Sequence, residues 1–461
     1  ITGERPDLEV LMFDDPSVYE MMTRGDTVGI FQVESRAQTQ VLPRLRPTCF
    51  ADLIVSISLI RPGPVMGNMV HPYLRRRLGT EPVVYPHPLL DDALRETLGV
   101  ILFQEQVLKV ARDLAGFTAG QGELLRRALG GKHAIERIDH FRSAFIAGAF
   151  QRGVTTDDAE AVFDKLRAFG GYSFPKSHAA AFAVLVYRSA WLKRYHPLAF
   201  YTALLNNQPM GFWSPAVVVN DARRHGIEVL RVDIQRSQFK CAPEGESLRL
   251  GLLYVQGFGE TASERLLEAR EQPFRDLAHF VRCTRLPRRL VENLIQAGAL
   301  DGWRSSRRDL LWELGTVSGE DDLALNFATE AVELPSLSPA EVSGMEYATT
   351  GLSTGTHPLA FYRVRLTQRG ILSSEQLNFS SETQVWVAGV VVVHQSPPTA
   401  KGHHFITLED EFGFINVIVR PRTYTHYRRT IRGSSLLLVQ GEVQRKGEVI
   451  NVIARKVVAM K

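Results

Sequence analysis

The residues best suited to chemistry in this chain are cationic and stand near helix ends. Phe174-Pro175-Lys176-Ser177-His178 runs directly into an uninterrupted apolar stretch over 179–195. Ser177 occupies an N-cap position, Pro175 restrains the entry, and Lys176 and His178 flank the cap. The free N–H groups and dipole of such a helix start suit an anion, and a phosphate fits. An ordinary capped core helix with two polar residues at its solvent end fits the same residues. Arg126 and Arg127 stand near the end of a second helical stretch, just before Gly130-Gly131. Neighbours on a helix diverge by about 100°, so these two are expected to contact different groups. Two phosphate oxygens would serve, as would the dipole of their own helix. Arg61-Pro62-Gly63-Pro64 is a stiff turn that either holds the Arg61 guanidinium in place or merely ends a helix. Arg75-Arg76-Arg77 reads as a solvated face.

A second kind of phosphate contact is written at 255–262, Val-Gln-Gly-Phe-Gly-Glu-Thr-Ala. Two glycines around one apolar residue, between a short helix and a longer one, form the helix-hairpin-helix signature. The backbone N–H groups of Gly257 and Gly259, with Thr261 in the following turn, can approach a nucleic-acid phosphate unobstructed and without reading sequence. A degenerate second unit spans 286–300. A hairpin that only packs against protein is the other reading of both. Nothing matches paired metal-binding carboxylates, a Walker loop, GxSxG, HExxH or a dinucleotide turn, so no catalytic residue and no metal ligand is assigned.

The elements that must carry these residues follow from length and periodicity. With 461 residues the chain is long enough for roughly three domains at about 150 residues each. Fifty-four basic and 50 acidic residues leave a net charge of +4, so placement of charge matters more than its sum. Only ten of the cations are Lys, and Arg is the better partner for planar phosphate contacts. Helical spacing dominates from 16 to 206, clearest at 100–114, 134–150, 157–168 and 179–195. Short helices return over 254–303. Residues 315–343 are acidic and Ser/Pro-containing and predict a linker. After 385 five short Val/Ile-rich runs predict a Greek-key barrel, with Phe405, Phe412, Phe414, Arg420, Tyr424 and Tyr427 as candidates to stack on or grip single strands. Cys49, Cys241 and Cys283 are isolated, which excludes a disulfide framework or zinc spacing and fits a reducing cytoplasm. No signal peptide or spanning segment is expected, and Ile1 in place of Met predicts a piece of something longer.

Taken in order, Gly29-Ile30-Phe31-Gln32-Val33-Glu34-Ser35, Ile60-Arg61-Pro62-Gly63-Pro64, the segment 99–106, the segment 124–130 and the segment 174–180 resemble the bacterial DNA polymerase III alpha-subunit family. The segments 73–77, 85–88 and 129–133 look most like its error-prone branch, which acts in damage-induced mutagenesis and translesion synthesis. The resemblance implies a multidomain, mainly α protein: polymerase fingers over 1–205, a connecting segment and helix-hairpin-helix region over 206–312, a linker over 313–380, and an all-β OB-fold over 381–461. It implies that Arg126, Arg127, Lys176, Ser177 and His178 hold the triphosphate of an incoming dNTP, with Arg61 in support. Their work would be neutralising and positioning phosphates, without proton transfer. It implies a DNA primer-template as partner, a cytoplasmic location, and Mg2+ bound by palm aspartates that precede residue 1, so that this portion alone is inactive. The segments 322–327 and 376–379 match a sliding-clamp peptide poorly, which implies clamp access through accessory mutagenesis proteins. A stand-alone nucleic-acid-binding or assembly factor is the alternative, and a truncated gene product a third.

Overall fold

A computed structural model describes residues 6–60, 70–129, 134–168, 174–303, 305–315 and 334–460. The helical body opens with α1 (Pro16–Thr23), α2 (Arg36–Leu45), α3 (Phe50–Leu59) and α4 (Val70–Arg77). It continues with α5 (Gln104–Ala115), α6 (Ala119–Ala128), α7 (Arg142–Gln151) and α8 (Thr156–Ala168), then the long α9 (Lys176–Tyr195), α10 (Pro197–Asn206) and α11 (Pro215–Arg224). Helix α9 lacks Gly and Pro throughout and buries Ala179, Ala183, Val186, Tyr187 and Ala190, one stripe at helical spacing. The small residues of that stripe let α3, buried from Asp52 to Leu59, pack along it. Helix α5 packs on α6 and α7. The last contact needs Gly148, because a Cβ there would overlap the Ala115 carbonyl.

The periodic stretch over 134–150 divides into Ala134–Asp139 and α7, interrupted at His140-Phe141. Beyond α11 a three-stranded sheet, β1 (Val229–Leu230), β2 (Ala242–Glu244) and β3 (Ser247–Arg249), is ordered β1-β3-β2. Short helices follow: α12 (Glu260–Ala269), α13 (Leu277–Thr284), α14 (Arg288–Gln296) and α15 (Arg307–Glu313). The expected linker is corrected where it is described. Helix α16 (Pro339–Thr350) packs on α14, and Glu346 accepts a 2.9 Å hydrogen bond from the buried Arg307. Ser338 caps α16 in a box with Glu341, a local helix start hidden among the polar residues that suggested a linker.

Strand β4 (Ile371–Leu372) leads into β5 (Gln384–Gln395), β6 (His404–Glu409), β7 (Phe414–Val419), β8 (Leu436–Lys446) and β9 (Val449–Ala459). The pairing runs β5-β6-β7-β9-β8 and returns to β5, with β7 and β9 parallel, which closes a five-stranded OB-type barrel. Helix α17 (Pro421–Gly433) spans from β7 to β8. The barrel has its own interior, including Val387, Leu408, Val417, Leu437 and Val452, apart from the continuous core of the helical body. The joint between them is largely polar. Arg36 of α2 donates to the Ile406 and Val417 carbonyls at 3.1 and 3.0 Å, and Gln40 donates to Asn451 at 2.8 Å. Arg224 and Asn220 of α11 donate to Glu409 at 2.9 and 3.1 Å, and Trp213 stacks on Phe414.

Candidate functional site

Three helix ends meet where the cationic residues were expected. Helix α9 starts at Lys176, with Pro175 at the cap in extended backbone. The Pro175 carbonyl already accepts from the Ala179 N–H, so Ser177 falls inside the first turn, exposed, and caps nothing. This corrects the expected capping role. Glu105, in the first turn of α5, takes that place: both its carboxylate oxygens accept from the Lys176 N–H at 3.1 Å. The Gln104 N–H donates to the Phe174 carbonyl at 3.0 Å, tying the start of α5 to the entry of α9.

Arg126, at the end of α6, reaches the same place by donating to the Gln104 side chain at 3.1 Å. Arg126 and Arg127 do not serve separate groups as expected. Their flexible stems bring both guanidiniums onto Glu123, at 2.8 and 3.0 Å, and these hydrogen bonds hold the Glu123 carboxyl down to about 2. The Lys176 ammonium pairs with Glu96 and lies 5.7 Å from the centre of the Phe103 ring. His178 is exposed, its ring set edge-on between Phe174 and Phe182. Arg61 lies outside the described residues. Arg126, Lys176 and the first turn of α9 thus surround the start of α5, Arg127 joins through Glu123, and the three cations are balanced by Glu96, Glu105 and Glu123. A polyphosphate entering here would replace carboxylates on cations and N–H groups already placed for negative charge. The arrangement can bind and orient. The carboxylates escaped the sequence reading. Glu123 carries a usable signal, since it stands three and four residues before the arginines, the spacing of helical ion pairs.

The glycine turn is built as its sequence predicts, with a short 3-10 turn at Leu252–Tyr254 in place of a full first helix. Phe258 is buried and pins the turn, while Gly257, Gly259 and Thr261 are exposed. Gly257 has φ +78°, a left-handed conformation that favours glycine, and Gly259 caps α12. The turn is braced from behind: the Gln256 N–H donates to the Thr349 carbonyl of α16 at 2.8 Å, and Asn293 donates to the Gln256 carbonyl. The first-turn N–H groups of α12 remain directed along a helix start that lacks a side-chain cap. On the barrel, Phe405 and Phe414 are taken up by the joint, beneath Arg36 and Arg224, and Tyr424 is buried against His404 with ring centres 3.4 Å apart. Of the ring candidates, Phe412 is exposed and Tyr427 half-buried.

Among the described residues one cluster gathers metal-type donors, Asp26, Asp221 and His225, with ligand atoms within 4.8 Å of one another. It does not fit Mg2+. The ammonium of Lys193, fully buried, stands among them at 2.6 Å from Asp26 and 2.9 Å from Asp221, and Tyr201 donates to Asp221 at 2.7 Å. Burial works to raise the Asp26 carboxyl, and the His225 hydrogen bond and the Lys193 charge outweigh it, holding it well below the carboxylate range. Burial also opposes charge on His225, yet its bond to Asp26 leaves the imidazole above its ordinary value. This is a structural ion cluster that fastens α9 to α11.

Residues 2–153 match the family model for the bacterial DNA polymerase III alpha subunit finger domain. The chain carries a finger domain of that family. A helix-hairpin-helix motif model matches 226–310, and an OB-fold nucleic acid binding domain model matches 385–459, the closed barrel. The error-prone DNA polymerase of Anaeromyxobacter sp. (strain K) is 45% identical over 462 residues, covering 96% of this chain and 41% of that protein. The error-prone DNA polymerases of Pseudomonas aeruginosa and Corynebacterium efficiens are 42% and 44% identical, with 98% and 96% of this chain and 45% and 42% of theirs. The chain spans less than half the length of these curated relatives. Within this DNA polymerase III alpha-type finger domain lie Arg126, Arg127, Glu105 and Glu123, while Lys176 and α9 follow it. No helix among the described residues is long and apolar enough to cross a membrane.

Proposed function

We propose that this chain is the fingers, helix-hairpin-helix and OB portion of an error-prone, DNA-directed DNA polymerase acting in damage-induced mutagenesis and translesion synthesis in the cytoplasm. The incoming dNTP places its phosphates at the meeting point of α5, α6 and α9, against Arg126, Arg127, Lys176 and the first turn of α9, with Arg61 in support and Ser177 and His178 at the rim. The observation that carries the assignment is the gathering of these cations around one helix start from segments 50 residues apart in sequence. Gly257, Gly259 and Thr261 touch the backbone of the primer-template. The Mg2+ that neutralises phosphates during transfer belongs to palm aspartates outside this portion, which alone is inactive; among the described residues the one cluster of metal-type donors already holds the Lys193 ammonium. Leu377 is buried in the barrel core and Gln376 caps its own helix, which supports clamp access through accessory proteins rather than through this segment.

The test is single-nucleotide incorporation by the full-length protein. Arg127→Ala and Lys176→Ala each raise the KM for dNTP or lower kcat by about tenfold, the scale of one charge-assisted phosphate contact of about 1.4 kcal/mol. Unchanged kinetics in both variants would remove the site assignment.

A further inference from the structure

The geometry points to the exposed face of α17 as a docking surface for the phosphate backbone of duplex DNA. This rests on the proposed role in DNA synthesis and adds which surface of the barrel meets which form of the nucleic acid. Helix α17, Pro421–Gly433, carries Arg422, Arg428, Arg429 and Arg432 and no acidic residue. At about 100° per residue the four arginines fall within an arc of about 120°, apart from the arc of Tyr424, Tyr427 and Ile431. Tyr424 and Ile431 are the buried residues of the helix and Tyr427 packs half-buried on the barrel interior, so packing fixes which way the arginine arc faces.

All four arginines are exposed. Among the described residues no carboxylate lies within ion-pair distance of Arg422, Arg428 or Arg429. Arg432 donates to the Tyr424 hydroxyl at 2.9 Å, which fixes the far end of the row. From Arg422 to Arg432 the row runs about 15 Å along the axis. Duplex DNA presents about one phosphate charge per 1.7 Å, so several phosphates lie within reach of such a row.

Two further observations choose the occupant and the face. The face formed by the second and third strands of an OB barrel, a usual place for oligonucleotides, is β6–β7 here. It is engaged by the helical body: Arg36 bonds the carbonyls of Ile406 and Val417, and Trp213 stacks on Phe414 at 5.1 Å. Helix α17 packs chiefly against β9, with Tyr424 stacked on His404 at the start of β6, and its arginine arc is turned away from both contacts. The arginine arc also holds no aromatic ring. Proteins that grip single strands combine charge with stacking rings, while an arginine row without rings contacts phosphates alone, as backbone contacts to a duplex require.

The experiment titrates the full chain with a labelled 20-base-pair duplex, and with a single strand of the same length, at several salt concentrations. Comparison variants are R422A/R428A/R429A and the corresponding triple Lys substitution. Losing three phosphate contacts makes the slope of log K against log salt less steep by about 2–3 and weakens duplex binding at least tenfold at about 0.1 M salt. The single strand is affected less, and the Lys variant restores binding. The substituted side chains are exposed and unpaired, and an unchanged melting curve verifies the fold. Unchanged duplex affinity and slope in the Ala variant would overturn the surface while leaving the polymerase reading intact. A loss confined to the single strand would overturn the choice of duplex. Failure of the unmodified chain to bind either DNA would overturn this surface and the DNA-binding reading together.

Discussion

Replacing Lys193 by Met tests how much of the helical body hangs on one buried charge. The ammonium is fully buried, 2.6 Å from Asp26 and 2.9 Å from Asp221, and it also donates to the Val28 carbonyl at 3.1 Å. Methionine keeps most of the volume, so little of the expected loss comes from packing. What remains is Asp26 with His225 alone, and Asp221 with the Tyr201 hydroxyl and Arg224 at 3.4 Å, without the central cation that both shared. Breaking a buried ion cluster by removing one partner costs about 3–5 kcal/mol, a large share of the stability of a domain. The loss depends on pH with a definite sign. In the native chain Asp26 is depressed, so its contribution is present above the unfolded carboxylate range and fades as pH falls through it. In the variant, the Asp26 carboxyl loses the Lys193 charge that offsets its burial and rises, the folded state takes up a proton that the unfolded state has lost, and the deficit shrinks as pH falls from 7 towards 5. Urea unfolding followed by tryptophan emission at the two pH values measures it, since Trp191 stands on α9 two residues before Lys193. A loss under about 1 kcal/mol at pH 7, or one that does not shrink at pH 5, would refute the assignment of a charged, cooperative cluster.

The joint between barrel and helical body yields two more tests. Burial pushes the Glu409 carboxyl up to about 7 despite Arg224 beside it, so the folded chain holds a proton there that the unfolded chain releases near 4.5. Stability from this group is full below 4.5 and falls as pH rises towards 7, by about 1.4 kcal/mol per pK unit, and then levels off. Glu409→Gln should flatten that slope in urea titrations, and an unchanged slope would sink the reading. Arg36, pushed down to about 9 by burial, spends its charge on two strand carbonyls and Asn451. Arg36→Met should raise amide exchange at the α2–barrel contact by tenfold or more while the barrel interior keeps its protection, and equal protection in both proteins would show that the guanidinium does not pin the joint.

Much of this organisation was legible in the chain. Alternation of Val and Ile with turn residues after 385 specifies short strands, and the turn around Gly257 and Gly259 announces itself because only glycine adopts φ +78° at no cost. The basic residues at 126, 127 and 176 were visible as charges near helix ends, and two of their details were not. A proline cap moved the start of α9 to Lys176: Pro175, with ψ 134°, is the last extended residue, and its carbonyl accepts the Ala179 N–H, which leaves Ser177 inside the helix. The neutralising carboxylates Glu96 and Glu105 come from other segments, and no local rule pairs residues 80 or 71 positions apart. The polar texture around 334–343 suggested a linker because a capped helix start and an unstructured stretch draw on the same residues, Ser, Pro and Glu. The ion cluster was hidden for a related reason: Asp26, Lys193, Asp221 and His225 are each ordinary surface residues in sequence, and only the fold, with α10 packed on both α9 and α11, brings them together and buries Lys193 and Asp221.

Helix α9 ties these findings into one mechanical argument. Its 20 residues span about 30 Å, with Lys176 at one end among the proposed phosphate ligands and Lys193 near the other. Lys193 fastens it to Asp221 of α11, and three residues on, Arg224 of the same helix reaches Glu409 of the barrel. A rigid helix bonded at both ends thus joins the candidate nucleotide site to the OB-fold through the Lys193–Asp221 ion pair and the Arg224–Glu409 hydrogen bond, with no loop between. The two contacts differ in kind. In the Lys193 cluster the ammonium and Asp221 are buried, with Asp26 and His225 half-buried at the edge, so parting the Lys193–Asp221 pair leaves charge out of reach of water. The Glu409 contact lies at a polar joint, where separated groups can be rehydrated, and water repays much of what the contact contributes. If the barrel shifts against the fingers as DNA passes, the break belongs at Arg224–Glu409 and Arg36, while α9 keeps Lys176 in register with Glu105 and Arg126.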